Sequence, residues 1–321
     1  MKPLTKCHIL VTPTSFQQNK PLCNELEARV GRVTYNSTGK PLTSAGLCSM
    51  LKDADGLLAG LDIIDAAALQ CSPNLRVVAR YGVGVSNVDL EAAHQMGITI
   101  TNTPGANTKA VAELAFTLML NLLRPILPAA TETRQGGWPR LKGLSLEGKT
   151  VGLLGLGAIG KEVARRLQGW DCSVIAFDIL PDREFAVATG VELVSLDELL
   201  ARAELVSLHA PLTPETHGIV NRQFLNKLKP GVLLVNTARG ELVDEPALLQ
   251  ALESGHLKGA ALDTFCEEPP SPGSPLLTHP NVIATPHMGA HTDQAVNSMG
   301  RMAVDDCLAV LEGRAPRYPV A

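Results

Sequence analysis

Thr150-Val-Gly-Leu-Leu-Gly-Leu-Gly-Ala-Ile-Gly160 is the stretch that decides the fold. An apolar run reads as a buried strand and passes without a break into Gly155-Leu-Gly157-Ala158-Ile159-Gly160. Ile159, Val163 and Leu167 then recur at helical spacing. A second apolar run closes on Asp178, about 20 residues past the first glycine, where a carboxylate can accept hydrogen bonds from ribose hydroxyls. Gly155 permits a tight turn, Gly157 lets the backbone approach a pyrophosphate, and Gly160 lets the helix pack closely on the strand. The helix N-terminus adds free N–H groups and the positive end of its dipole. Strand, turn, helix and acid together specify a dinucleotide site. Asp178 repels a 2′-phosphate and has no base adjacent to it, so the expected cofactor is NAD rather than NADP.

Working outward, short apolar strands at His8–Val11, Gly56–Ala59, 76–79 and Thr99–Thr101 alternate with helical patterns such as Ser44–Leu51 and Leu90–Gln95. Asn102-Thr-Pro-Gly105 is a turn signal, and a uniformly apolar helix over 109–123 follows it. A second series of strands runs through 151–155, 173–178, 205–209, Val232–Asn236, 260–263 and 282–285, and an amphipathic helix over 295–311 ends the chain. Strands alternating with helices predict parallel sheets covered on both faces. With 321 residues there is chain enough for two cores. The helix after the last nucleotide-domain strand is expected to return to the first array.

Composition narrows the function. A net charge of -4 gives no electrostatic reason to expect nucleic acid or an anionic membrane as partner. The run His8-Ile-Leu-Val11 is too short for a signal core or a membrane span. Seven cysteines stand singly with no CxxC pair, so the expectation is reduced thiols in a cytoplasmic protein. His8, His94, His217, His256 and His279 have no partners at metal-ligand spacing, so no metal site is expected.

Open α/β sheets place their ligands at the C-terminal ends of their strands. Arg239, Glu268 and His287 all stand beyond such ends in the second array. Hydride transfer between a nicotinamide and a 2-oxo acid needs the carboxylate anchored, the carbonyl polarised and a proton delivered. A guanidinium such as Arg239 serves the first two needs. His287 serves the third, and a carboxylate such as Glu268 beside it fixes the ring and stabilises its charged form.

The motifs that carry these residues resemble those of the D-2-hydroxyacid dehydrogenase family, most of all its D-3-phosphoglycerate dehydrogenase branch. They are Arg80-Tyr-Gly-Val-Gly-Val-Ser-Asn-Val-Asp89, Asn102-Thr-Pro104, Asn107, Val111-Ala-Glu113, the Gly155–Gly160 loop, His209-Ala-Pro-Leu-Thr-Pro-Glu-Thr216, Asn236-Thr-Ala-Arg239-Gly240, Asp263 with Glu268-Pro269, and Thr285-Pro-His287-Met-Gly289. The resemblance implies a flavodoxin-like substrate domain of residues 1–103 and 287–321, with a Rossmann NAD-binding domain, 104–286, inserted in it. Hinges are then expected near 103–107 and 286–287. It also implies Arg239, Glu268 and His287 as the catalytic set, and Val83, Gly84 and Asn107 on the substrate, the Val83–Gly84 N–H groups holding its carboxylate. For NAD it adds Ala158, Ile159, His209, Ala210, Pro211, Thr216, Thr237, Ala238, Asp263 and Gly289 to the glycines and Asp178. The arm around Trp138 is expected to support a homodimer. Because the sequence ends at 321, no C-terminal regulatory domain and no inhibition by serine are expected.

The chain departs from the branch at one place. Where the branch grips a substrate phosphate with an Arg-Ser pair, this sequence reads Gly60-Leu-Asp62-Ile-Ile64. Asp62 in the pocket repels a phosphate dianion, and Arg80 is left as the one anion contact. A small non-phosphorylated 2-hydroxy or 2-oxo acid is therefore the expected substrate. True D-3-phosphoglycerate dehydrogenase, an NADH-sensing corepressor-like binding protein and a dehydrogenase of a donor such as phosphite are the other readings of the same residues.

Overall fold

The apolar runs of the sequence assemble into two parallel sheets in the computed structural model, which describes residues 2–320. The chain divides into one unit of residues 1–107 and 290–321 and a second of 108–289. These divides lie a few residues beyond the expected 103 and 286.

In the first unit, β1 (His8–Val11), β2 (Arg32–Tyr35), β3 (Gly56–Ala59), β4 (Val77–Arg80) and β5 (Thr99–Thr101) lie in the order β2-β1-β3-β4-β5, the flavodoxin-like arrangement. β1, β3 and β4 are buried along their whole length because helices cover both faces. The sequence reading missed β2, an edge strand whose Arg-Val-Thr-Tyr carries no buried residue and so leaves no apolar run to find. The last helix, Asp293–Leu311, returns to this unit and buries Met299, Ala303, Cys307 and Leu311 with Phe16 and Leu22. Each large apolar side chain so buried is worth roughly 1.5–3 kcal/mol. Gly300 permits the close approach, since a Cβ there would lie 2.3 Å from Leu22. Arg76 caps the helix by donating to the carbonyls of Leu311 and Val310 at 3.0 and 2.8 Å, where the negative end of the dipole favours a cation.

The same unit corrects the reading of the cysteines: Cys48 and Cys71 form a disulfide. Cys48 lies on the Ser44–Leu51 helix and Cys71 just past the Ala66–Leu69 helix. Asp65 joins the two helices by accepting from Ser44 Oγ at 2.6 Å and from Ala68 N at 2.8 Å. That packing brings the cysteine Cα atoms to 5.3 Å, a pairing that 23 residues of separation does not reveal in sequence.

In the second unit, β6 (Thr150–Leu154), β7 (Ser173–Phe177), β8 (Glu192–Leu193), β9 (Leu205–Leu208), β10 (Val232–Asn236), β11 (Leu257–Leu262) and β12 (Val282–Ala284) run in the order β12-β11-β10-β9-β6-β7-β8. β8 was missed too, being two residues at the sheet edge. The order reverses between β6 and β9, so this unit has its topological switch point beside the glycine loop. The apolar helix Thr108–Leu123 buries Ala112, Ala115, Leu118 and Met119 against Leu153, Val163 and Leu233. No single helix among the described residues is long and apolar enough to cross a membrane.

Candidate active site

Gly155 leaves β6 at φ +100°, a conformation open to glycine, and a Cβ there would stand 2.7 Å from the Ala210 nitrogen. A Cβ on Gly160 would stand 2.2 Å from the Gly155 carbonyl, so this glycine lets the helix sit on the turn itself. Gly157 faces open space, with nothing within 4 Å of a Cβ. It begins the Ala158–Leu167 helix without a side-chain cap. The N–H groups of Ala158, Ile159 and Gly160 have no partner among the described residues, as a pyrophosphate cradle requires. Asp178, at the end of β7, accepts from Leu156 N at 2.6 Å and Leu180 N at 2.8 Å. Each oxygen retains a lone pair for a ribose hydroxyl.

Further orphaned groups stand at or near the C-terminal ends of the neighbouring strands. Ser207 Oγ, His209 Nε2, Thr237 Oγ1 and Thr264 Oγ1 are out of water and unpartnered among the described residues. Burial pulls the His209 imidazole down to about 4, so it is neutral at working pH and suited to a cofactor wall, not to proton transfer. The residues present thus fit a dinucleotide.

Arg239 follows β10 in a turn that the buried Asn236 side chain holds, donating to the Arg239 carbonyl at 2.8 Å and accepting from Ala238 N at 3.0 Å. Gly240 lies against the Phe265 backbone, where a Cβ would come within 1.9 Å of carbon. The Arg239 guanidinium donates to the Ala238 carbonyl at 2.7 Å, and its other N–H groups have no partner among the described residues. Glu268 accepts from Phe265 N at 3.1 Å through Oε1, and its Oε2 lies 2.7 Å from His287 Nδ1. Nε2 is therefore the nitrogen left for a substrate.

His287 itself sits at φ +49°, a left-handed conformation that a non-glycine residue adopts only when its surroundings impose it. Asp263, 1% exposed, imposes it. Its backbone carbonyl accepts from His287 N at 2.9 Å. Its carboxylate accepts from Thr285 Oγ1 at 2.6 Å and from the N–H groups of Met288 and Gly289 at 2.9 Å. Burial raises the Asp263 carboxyl, and these donors oppose the rise. The sequence reading gave Asn236 and Thr285 no role; an asparagine at a strand end before a turn is the signal that pointed to the first. The Cys266 thiol is pushed up to about 12 by burial and by Glu245, Glu241 and Asp244, so it is no nucleophile at neutral pH. No group of three metal-ligating side chains occurs among the described residues.

A family model, "D-isomer specific 2-hydroxyacid dehydrogenase, NAD binding domain", matches residues 116–289. The chain belongs to the D-isomer specific 2-hydroxyacid dehydrogenase family. It is 42% identical over 259 residues to the D-3-phosphoglycerate dehydrogenase of Archaeoglobus fulgidus, covering 80% of this chain and 49% of that one. It thus spans about half the length of that relative. It is 40% identical over 294 residues to the glyoxylate reductase of Thermofilum pendens, covering 88% of this chain and 86% of that one. A solved NADPH-dependent glyoxylate/hydroxypyruvate reductase from Sinorhizobium meliloti, in complex with NADP and malonate, superposes with a TM-score of 0.85 at 32% identity, covering 98% of this chain and 97% of that one.

Two residues expected at the substrate, Asp62 and Arg80, are buried and bonded within the first unit. Asp62 is 1% exposed: Oδ1 accepts from Leu42 N at 2.8 Å, and Oδ2 accepts from Gly60 N at 3.1 Å and from Thr12 Oγ1. Three donors of three segments draw it inward. Arg80, 3% exposed, donates to the carbonyls of Ala59 at 2.7 Å, Gly84 at 3.1 Å and Gly60. Carbonyls at the ends of β3 and β4 outcompete solvent for its guanidinium. Leu61 and Ile63 are the exposed side chains of that turn, at 39% and 53%. Val83 is exposed in its loop, and the buried Oδ1 of Asn107 has no partner among the described residues.

Proposed function

We propose that the protein is an NAD(H)-dependent D-2-hydroxyacid dehydrogenase acting on a small non-phosphorylated 2-hydroxy or 2-oxo acid. The observation that carries this reading is the 2.7 Å His287–Glu268 pair held in a strained turn beyond the switch-point sheet that also carries Arg239. A bound nicotinamide supplies or takes the hydride. Arg239 polarises the substrate carbonyl with its open N–H groups. His287 Nε2 gives its proton to the carbonyl oxygen in reduction and takes it back in oxidation. Glu268 opposes the positive charge on the ring and keeps Nε2 aimed.

The preference for a substrate without phosphate rests on Leu61 and Ile63 in place of a cation, since Asp62 is turned inward. NAD over NADP rests on Asp178, whose charge opposes a 2′-phosphate. Exposed Ile126, Leu127, Trp138 and Leu141 support a homodimer. The test is NADH and NADPH oxidation across glyoxylate, pyruvate, hydroxypyruvate and its 3-phosphate ester. Turnover of the unphosphorylated acids with NADH is expected. Preference for the ester would restore phosphoglycerate dehydrogenase, and no turnover at all would favour an NADH-sensing binding protein.

A further inference from the structure

We infer that Asn102 and Arg80 are positioning residues that aim the backbone of the Gly82–Val85 loop at the substrate carboxylate; the inference rests on the dehydrogenase reading above. Three consecutive carbonyls of this loop are each captured. Gly82 O accepts from Thr103 N at 3.1 Å, Val83 O from Asn102 Nδ2 at 2.7 Å, and Gly84 O from Arg80 Nε at 3.1 Å. All three donors come from the ends of β4 and β5, which are hydrogen-bonded neighbours with Ala79 opposite Thr101. The carbonyls are thus drawn to one side.

In a trans peptide the N–H points opposite to its carbonyl. The N–H groups of Val83, Gly84 and Val85 are therefore turned away from the strand ends, and none has a partner among the described residues. A run of free N–H groups on one side of a partly exposed loop makes an anion-binding concavity.

The donors behind the loop are themselves fixed. Arg80 is anchored by the carbonyls of Ala59 and Gly60, and as a buried cation it acts on the anion through the peptide without touching it. Asn102 is placed by its own N–H, which donates to the Tyr318 carbonyl at 3.2 Å. Tyr318 N and Arg317 N in turn donate to the buried Asp306 carboxylate at 2.9 and 2.7 Å. The chain's last residues thus hold the residue that shapes the loop.

The test uses whichever of glyoxylate, pyruvate or hydroxypyruvate the wild type reduces fastest, together with that acid's primary amide, which keeps the carbonyl and loses the charge. Asn102→Ala and the near-isosteric Asn102→Asp, which lacks the side-chain donor, are expected to raise KM for the acid about tenfold, with kcat within about twofold and KM for NADH unchanged. The preference in kcat/KM for acid over amide is expected to fall about tenfold. Arg80→Lys is expected to lower the same preference, with thermal melting recorded for every variant. Lower melting temperatures with the acid-to-amide preference of the wild type would make both residues merely structural and overturn the inference alone. A wild type that reduces none of the acids would overturn the dehydrogenase reading and the inference with it.

Discussion

The two sheets use charge at their strand ends in opposite ways. In the first unit, Asp62 and Arg80 point inward, bonded mainly to backbone, and the groups left open at the strand ends are the peptide N–H groups of the Gly82–Val85 loop. In the second, the side chains of Arg239, Asp178 and His287 leave hydrogen-bonding valences open. A charged residue at the end of a parallel strand is thus not by itself a ligand contact. What separates the two cases is whether neighbouring backbone groups claim the charge first.

Four substitutions probe this contrast, taken from the largest effect downward. His287→Asn is expected to lower kcat/KM about a thousandfold while melting and NADH binding stay near wild type, because asparagine tolerates the left-handed backbone and cannot serve as acid or base. Activity within tenfold of wild type would remove His287 from proton transfer. Arg239→Lys should lower kcat/KM on the order of a hundredfold, since an ammonium lacks the planar fork that holds carbonyl and carboxylate together. Unchanged kinetics would place Arg239 with the inward-facing residues.

Asp62→Asn tests the other side of the contrast. It should cost about 1–3 kcal/mol in chemical denaturation, leaving three donors with a weaker acceptor, and should not change the choice between phosphorylated and unphosphorylated acid. A shift in that choice without loss of stability would return Asp62 to the pocket. The smallest effect is expected for Asp178→Ser, a rise on the order of tenfold in the ratio of NADPH to NADH efficiency, or about 1.4 kcal/mol. Equal use of both cofactors by the wild type would break the reading of Asp178.

Much of the second unit was legible in the chain because its signals are local. The glycine loop, Asp178 and the strand-end trio lie in contiguous motifs, and β10 was read to the residue because it is an uninterrupted apolar run. Edge strands β2 and β8 were not legible, being short and half-exposed. Nor were the roles of Asn236, Thr285 and Asn102: each forms its bond across a turn or to a neighbouring strand, and asparagine or threonine at a loop has many uses. The strain at His287 was hidden as well, since only the bonds converging on Asp263 impose it.

By itself the sequence determined two α/β sheets, a dinucleotide turn and the strand-end positions of Arg239, Glu268 and His287, because periodicity, glycine placement and acid spacing act over a few consecutive residues. The tertiary structure decided what no spacing encodes: that Cys48 and Cys71 are joined, that Asp62 and Arg80 face inward, and that His287 presents Nε2. Each depends on which backbone groups arrive from distant segments, and a buried charge follows the donors or acceptors it meets there.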